Sequence, residues 1–350
     1  MAPSATVSTL IKVVDHVRRG EEGEPVPLGT RHHRGTLVDH LSHPDQQWYV
    51  SHAISLVVAA SLLAAGPAAA PRPTGPAPSP DTGTVRIVGR AAQDATRAFW
   101  TASRMAEATG VQDTAAQAKA RTANPPPGTP SATPFGGVPT VGALFYTTGS
   151  GAHFCTASVV DSKLENLIMT AAHCVYSTGY ATNIEFVPGY HDGRRPYGAW
   201  LIQAVVVAKG WRQWHSPNLD FAFLTVVPPG GSGRPIQRVT GGLRLGIDRG
   251  YAHPIKVIGY NDHAADPVRC ATNSFKFRAG QMEFYCHGYR DGTSGGPWVI
   301  GYTGRGTGTL FGVIGGYEDG GDYDWSSYSA VFGAAALSLF RQAEATAALQ

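Results

Sequence analysis

Charge is scarce in this chain: only 15% of its 350 residues are Asp, Glu, Lys or Arg, and the formal net charge is +3. That balance is low for a cytosolic enzyme but tolerable for an exported β-protein. From Phe135 onward acidic and basic residues nearly cancel and no basic run occurs, which argues against a nucleic-acid partner. Cysteine is sparse, with four residues and no Cys-x-x-Cys pair, so a zinc site has little support. His191, His215, His253 and His263 are scattered without metal spacing, and no metal is expected. There is no Gly-rich phosphate loop and no dinucleotide fingerprint, so no cofactor is expected. The long apolar runs of a membrane protein are missing too. The one apolar stretch, Ala53 to Ala65, is short and ends at Gly66-Pro67.

Turn formers are plentiful instead, with 43 Gly and 25 Pro. After Phe135 short apolar segments alternate with them, as strands and turns do. Strands are expected at 138–147, 153–162, 166–171, 184–188, 200–209 and 221–227. A second set is expected at 255–260, 268–277, 281–286, 297–301, 309–317 and 328–332. Residues 334–348 read as a helix with Leu337, Phe340 and Ala343 on one side. Trp200, Trp211, Trp214 and Trp298 are expected to pack or to line a cleft.

Three motifs carry chemistry. In Gly292-Thr293-Ser294-Gly295-Gly296-Pro297 one serine stands among glycines, whose freedom lets the backbone turn tightly. An attacking hydroxyl needs amide donors already in place for the oxyanion that acyl transfer creates, and the N–H groups of Gly292 and Ser294 are the candidates. Upstream, Thr170-Ala171-Ala172-His173-Cys174 puts a histidine on a turn after the apolar Leu167-Ile168-Met169. Between the two lies Asn218-Leu219-Asp220-Phe221, an aspartate opening an apolar run.

The order His173, Asp220, Ser294 and the residues around each resemble the secreted bacterial serine peptidases of the chymotrypsin/trypsin-fold family, over about residues 136 to 345. The resemblance implies an all-β fold of two six-stranded antiparallel β-barrels with a C-terminal helix. It implies that Ser294 attacks a peptide carbonyl, His173 serves as base and then acid, and Asp220 orients the imidazole. The first barrel (135–240) would hold His173 and Asp220, the second (241–350) Ser294, with substrate in the cleft between them. Cys155, Cys174, Cys270 and Cys286 permit three connectivities. Sequence neighbours suggest Cys155–Cys174, which would pin the His173 turn as in the family, and Cys270–Cys286, with four free thiols as the alternative.

The chain departs from trypsin at several points. Thr293 stands where trypsin-like zymogens carry the aspartate that pairs with a new N-terminus, so activation without that ion pair is expected. The pocket floor falls on Gly288, which gives no support for basic specificity; Tyr289 and its neighbours His287 and Arg290 are expected to shape the pocket instead. The far wall is expected to be a strand, Val313-Ile314-Gly315-Gly316-Tyr317, that pairs with an extended peptide, with Gly315 and Gly316 leaving room for side chains. Glu318 and Asp319 beyond it would attract a cation or form a solvated turn.

Residues 1–70 read as an N-terminal extension and signal peptide cleaved after Ala70, with an uncleaved membrane anchor as the alternative. Residues 71–134 read as a propeptide, with a low-complexity linker carrying one helix as the alternative. It begins with a Pro/Ala-rich spacer and continues with a helical stretch from Ala91 to about Ala120, where Phe99, Trp100, Met105 and Ala106 share a face. A second linker runs from Asn124 to Pro134. The reading is therefore a secreted, monomeric serine endopeptidase made as a zymogen, acting on proteins or peptides. The alternative is a catalytically inactive binding protein on the same scaffold.

Overall fold

A computed structural model describes residues 83–110, 124–304, 306–321 and 323–349. All of them fall in one compact unit, Arg72–Gln350. The extension, the apolar run and the cleavage site expected within residues 1–70 lie outside the described residues, as does the C-terminal part of the helix expected to reach Ala120. Among the described residues no helix is long and apolar enough to cross a membrane.

The described residues open with β1 (Gly83–Ile87), α1 (Arg90–Phe99), α2 (Ala102–Glu107) and β2 (Thr133–Pro134). The first barrel follows as β3 (Val141–Thr148), β4 (Gly151–Val160), β5 (Leu167–Thr170), β6 (Thr182–Pro188), β7 (Trp200–Ala208) and β8 (Ala222–Val227). The second set comprises β9 (Arg244–Leu245), β10 (His253–Gly259), β11 (Val268–Arg278), β12 (Gln281–Tyr285), β13 (Pro297–Ile300), β14 (Thr309–Val313) and β15 (Ser326–Ala330). A C-terminal helix spans Ala334–Ala348.

The first sheet runs β1-β7-β6-β3-β4-β5-β8, and β7 also pairs with β8, which closes six strands into a barrel. Leu144, Phe186 and Leu224 share the inner face and are fully buried, and on the outer face the buried Phe223 packs against Phe340 of the C-terminal helix. The second sheet runs β15-β12-β11-β10-β13-β14-β9. Its core is aromatic: the Trp298 ring stands edge-on to Phe284 at 4.8 Å, with Phe311 beyond. Closure on its open side comes from Gly315 N–H donating to Tyr328 O (3.0 Å) and Val313 N–H donating to Ser329 Oγ (3.0 Å).

The N-terminal arm differs from a helix between two linkers. Strand β1, which nothing in the sequence reading anticipated, pairs antiparallel with β7 from Gly83↔Ala208 to Ile87↔Ala204. It occupies the edge of β7 beyond the two residues that pair with β6. The helical stretch breaks at Trp100, whose ring is buried against Phe145 and whose indole N–H donates to Asn183 O. Met105 is buried with it, whereas Ala106 is exposed. The supposed linker 124–134 also packs down: Ala132 N–H and His287 N–H each make a 2.8 Å backbone bond, and β2 pairs with β11. In the C-terminal helix the buried residues are Ala336, Leu339, Ala343, Thr346 and Ala347; of the face expected, Ala343 is buried, Phe340 packs against Phe223, and Leu337 sits at the margin. Trp200, Trp211 and Trp298 are core residues, while Trp214 is exposed.

Candidate active site

His173 sits on the turn that follows β5, and Asp220 on a one-turn 3-10 element (Pro217–Leu219) that enters β8. Because β5 and β8 are paired neighbours, the two residues emerge at the same end of the barrel. The turn of His173 is pinned by the Cys155–Cys174 disulfide, and Cys270–Cys286 joins β11 to the end of β12. The fully buried Asp220 carboxylate takes three N–H donors. His173 N–H reaches Oδ1 at 2.9 Å, and His173 Nδ1 (2.8 Å) and Gly316 N–H (2.7 Å) reach Oδ2. With Nδ1–H committed to the carboxylate, a neutral ring carries its lone pair on Nε2, the form a general base needs.

That Nε2 is buried and has no hydrogen-bond partner. Burial opposes charging of the ring, but the Asp220 carboxylate, its hydrogen bond and the nearby Asp319 outweigh it and lift the pKa from the usual 6.5 to about 9. Asp319 Oδ1 lies 4.0 Å from Nδ1.

Ser294 is carried on two consecutive tight turns, closed by Thr293 N–H to Arg290 O (3.1 Å) and Gly296 N–H to Thr293 O (2.8 Å). Thr293 is buried and its hydroxyl donates to Arg290 O at 2.7 Å, so it closes the turn where trypsin has a charge. The loop is pressed against the turn of His173: a Cβ on Gly295 would collide with Thr156 O and Thr170 Oγ1 and lie 3.0 Å from Ala171 N. Among the described residues, neither the Gly292 nor the Ser294 amide donates to a protein acceptor. No hydrogen bond joins Ser294 Oγ to His173 Nε2.

Three polar residues that motif reading missed hold this arrangement. Thr156, fully buried in β4, donates from its N–H to Ser294 O (2.7 Å) and from Oγ1 to Gly292 O (3.0 Å), fixing both carbonyls of the Ser294 loop. Asn261 brackets the approach to that loop, giving Nδ2 to Gly288 O (2.8 Å) and taking Arg290 N–H on Oδ1 (3.0 Å). Gln281 gives Nε2 to Pro217 O (2.9 Å) and Asn218 Oδ1 (2.8 Å) and takes Tyr317 N–H on Oε1 (2.9 Å). Each is a lone polar residue in or beside a strand, and its only sequence signal is polarity at a position the pattern marks as buried.

The expected substrate pocket looks different. Tyr289 packs into the second core, ring against Phe284, with its hydroxyl donating to Val257 O at 2.9 Å. His287 is engaged by the chain at 130–132 and lies 3.8 Å from Asp324. The strand expected over Val313–Tyr317 ends at Val313, and Tyr317–Gly320 forms a 3-10 turn with Glu318 and Asp319 at positive φ. The amides of Gly315, Gly316 and Tyr317 bond inward, to Tyr328 O, Asp220 Oδ2 and Gln281 Oε1. The glycines serve close approach rather than pocket space: a Cβ on Gly315 would lie 2.8 Å from Asp220 Oδ2, and one on Gly316 would collide with Gln281 Oε1.

A β-barrel joined to a second sheet, with a histidine–aspartate pair on the first and a glycine-flanked serine on the second, is the chymotrypsin-like class of fold. The trypsin family model matches residues 130–322, more than half of the chain, and the protein belongs to that family. Among solved structures it is similar to the protease Anisep from Arthrobacter nicotinovorans (24% identity, TM-score 0.55, 61% of this chain and 99% of that one). It is also similar to the thermostable serine protease AL20 from an extremophilic microorganism (22% identity, TM-score 0.54, 59% and 98%). These likenesses speak to the fold. No curated protein matches the sequence.

Proposed function

We propose that the chain is a serine endopeptidase, exported and matured by removal of N-terminal sequence, with His173, Asp220 and Ser294 as its catalytic residues. The observation that carries the reading is the His173 ring, held through Nδ1 by a buried carboxylate while Nε2 is left unpartnered beside the loop of Ser294. In this reaction Ser294 Oγ attacks the carbonyl carbon of the scissile bond and its proton passes to His173 Nε2. Asp220 stabilises the imidazolium that results. The carbonyl oxygen, now anionic, accepts from the Gly292 and Ser294 amides. Collapse breaks the C–N bond, and the leaving amine takes the proton from Nε2. Water then repeats the sequence on the acyl-enzyme and releases the acid.

Catalysis is tested by cleavage of fluorescent casein. The wild-type chain is expected to cleave it and Ser294→Ala to lose all but background turnover; equal rates would remove Ser294 from the mechanism. The unbonded Ser294 hydroxyl and inward-turned wall favour one other reading, an inert binding scaffold. That reading predicts no turnover by any form of the chain.

A further inference from the structure

The segment Ala108–Gly110 lies in the cleft beside the nucleophile loop. Thr109 N–H donates to Ala152 O (3.2 Å) and Thr109 O accepts from Phe154 N–H (2.8 Å), so the arm adds a short parallel strand to the outer edge of β4. The Thr109 hydroxyl meets His153 Nδ1 at 3.3 Å. Thr109 and His173 line one cavity of about 620 Å³. One residue on, Gly110 is buried against the nucleophile loop. A Cβ there would lie 2.5 Å from Asp291 C and from Gly292 N, the amide proposed to receive the oxyanion. The contact is backed by a long anchor. It comprises the β1–β7 ladder, the buried Trp100 and Met105, and Gln342 of the C-terminal helix donating to Gly83 O at 3.0 Å.

We infer that residues 83–110 are an intramolecular inhibitor whose tip, Thr109–Gly110, occupies the leaving-group side of the cleft; the inference rests on the peptidase reading above. Chain direction separates inhibitor from substrate. On the peptidase reading, a leaving half that paired antiparallel with the free edge of β4 would run from Phe154 towards Ala152. The arm runs the other way, from Ala152 towards Phe154, and reaches Gly292 with its C-terminal end. It therefore fills the edge bonds a leaving-group segment would use, without offering a scissile bond in the productive polarity. Glycine at 110 is what permits the approach, since any side chain there meets the backbone of the nucleophile loop.

The test uses the full chain and two variants. Gly110→Leu forces the tip off the loop, and Thr109→Pro deletes the N–H that bonds Ala152 O. The readouts are the rate of labelling by a fluorophosphonate probe and hydrogen exchange at the Phe154 amide. Each variant is expected to label at least about tenfold faster than wild type, the loss of roughly one to two hydrogen bonds, and to expose the Phe154 amide. Labelling no faster than wild type, with the Phe154 amide exposed, would overturn the inference and leave the peptidase reading standing. A Phe154 amide that stays protected in both variants would overturn the inference as well. No labelling of any form of the chain would sink the peptidase reading and the inhibitor with it.

Discussion

Replacing Asp220 by Asn should separate charge from shape at the site. The carboxylate offers two acceptor oxygens to three N–H donors, from His173 N, His173 Nδ1 and Gly316 N. Asparagine keeps one acceptor and turns an NH2 group toward donors that need one. If its oxygen stays on the His173 main-chain N–H, both groups on the Oδ2 side lose their acceptor. At about 1–3 kcal/mol for each buried donor left unsatisfied, partly relieved by ring rotation, the loss of stability is about 2–4 kcal/mol. The chemical loss is larger. The NH2 group favours a ring with its lone pair on Nδ1 and its proton on Nε2, which cannot accept the proton of Ser294. A tautomer reversal of this kind costs about 10⁴ in turnover. Burial is then opposed by the Asp319 charge alone, so the ring's pKa should fall well below about 9. The assays are urea unfolding and the rate of fluorophosphonate labelling at pH 8. A variant that labels within about tenfold of wild type would refute the reasoning, because the tautomer would then not be set by Asp220.

Three further outcomes follow from groups around the site and the arm. His173, lifted to about 9 in the fold, stabilises the protein fully below pH 6.5 and loses that contribution as pH rises through about 9. Probe labelling should accordingly climb between pH 7 and 9, and Asp319→Asn should move the rise to lower pH; an unchanged midpoint would dismiss the Asp319 charge. Glu185 is buried in β6, and burial, set against Arg195 and Arg97, pushes its carboxyl up to about 7. Its raised pKa means that ionisation costs stability as pH rises past 4.5 towards 7, so Glu185→Gln should gain on the order of 3 kcal/mol at pH 8 and nothing at pH 4, read by thermal unfolding at both values. Gln281→Glu should lose about 2 kcal/mol at pH 8, where a carboxylate faces Pro217 O and Asn218 Oδ1, and recover part of it at pH 4, where the protonated acid donates again. The same urea titration at both values checks it.

The barrels and the site were not equally legible. Twelve strands were readable because their apolar runs are separated by turn-forming and polar residues, and His173, Asp220 and Ser294 because each sits in a distinctive local sequence. Strand β1 was not, since Gly83–Ile87 is short and only partly buried, and its partner on β7 lies more than a hundred residues away. The wall after Val313 was misread because its course is decided by tertiary bonds, from Gly316 to Asp220 and from Tyr317 to Gln281, rather than by local propensity. Gly315 shows the ambiguity of a bare glycine: room for a ligand and room for a buried carboxylate leave the same letter in the chain.

The central claim is that Ser294 is a nucleophile activated by His173. Mass-spectrometric mapping of the adduct formed with an excess of fluorophosphonate probe tests it most directly. The account predicts one adduct, on Ser294, abolished in His173→Ala. An adduct that persists in that variant, or one that forms on a different residue, would contradict it.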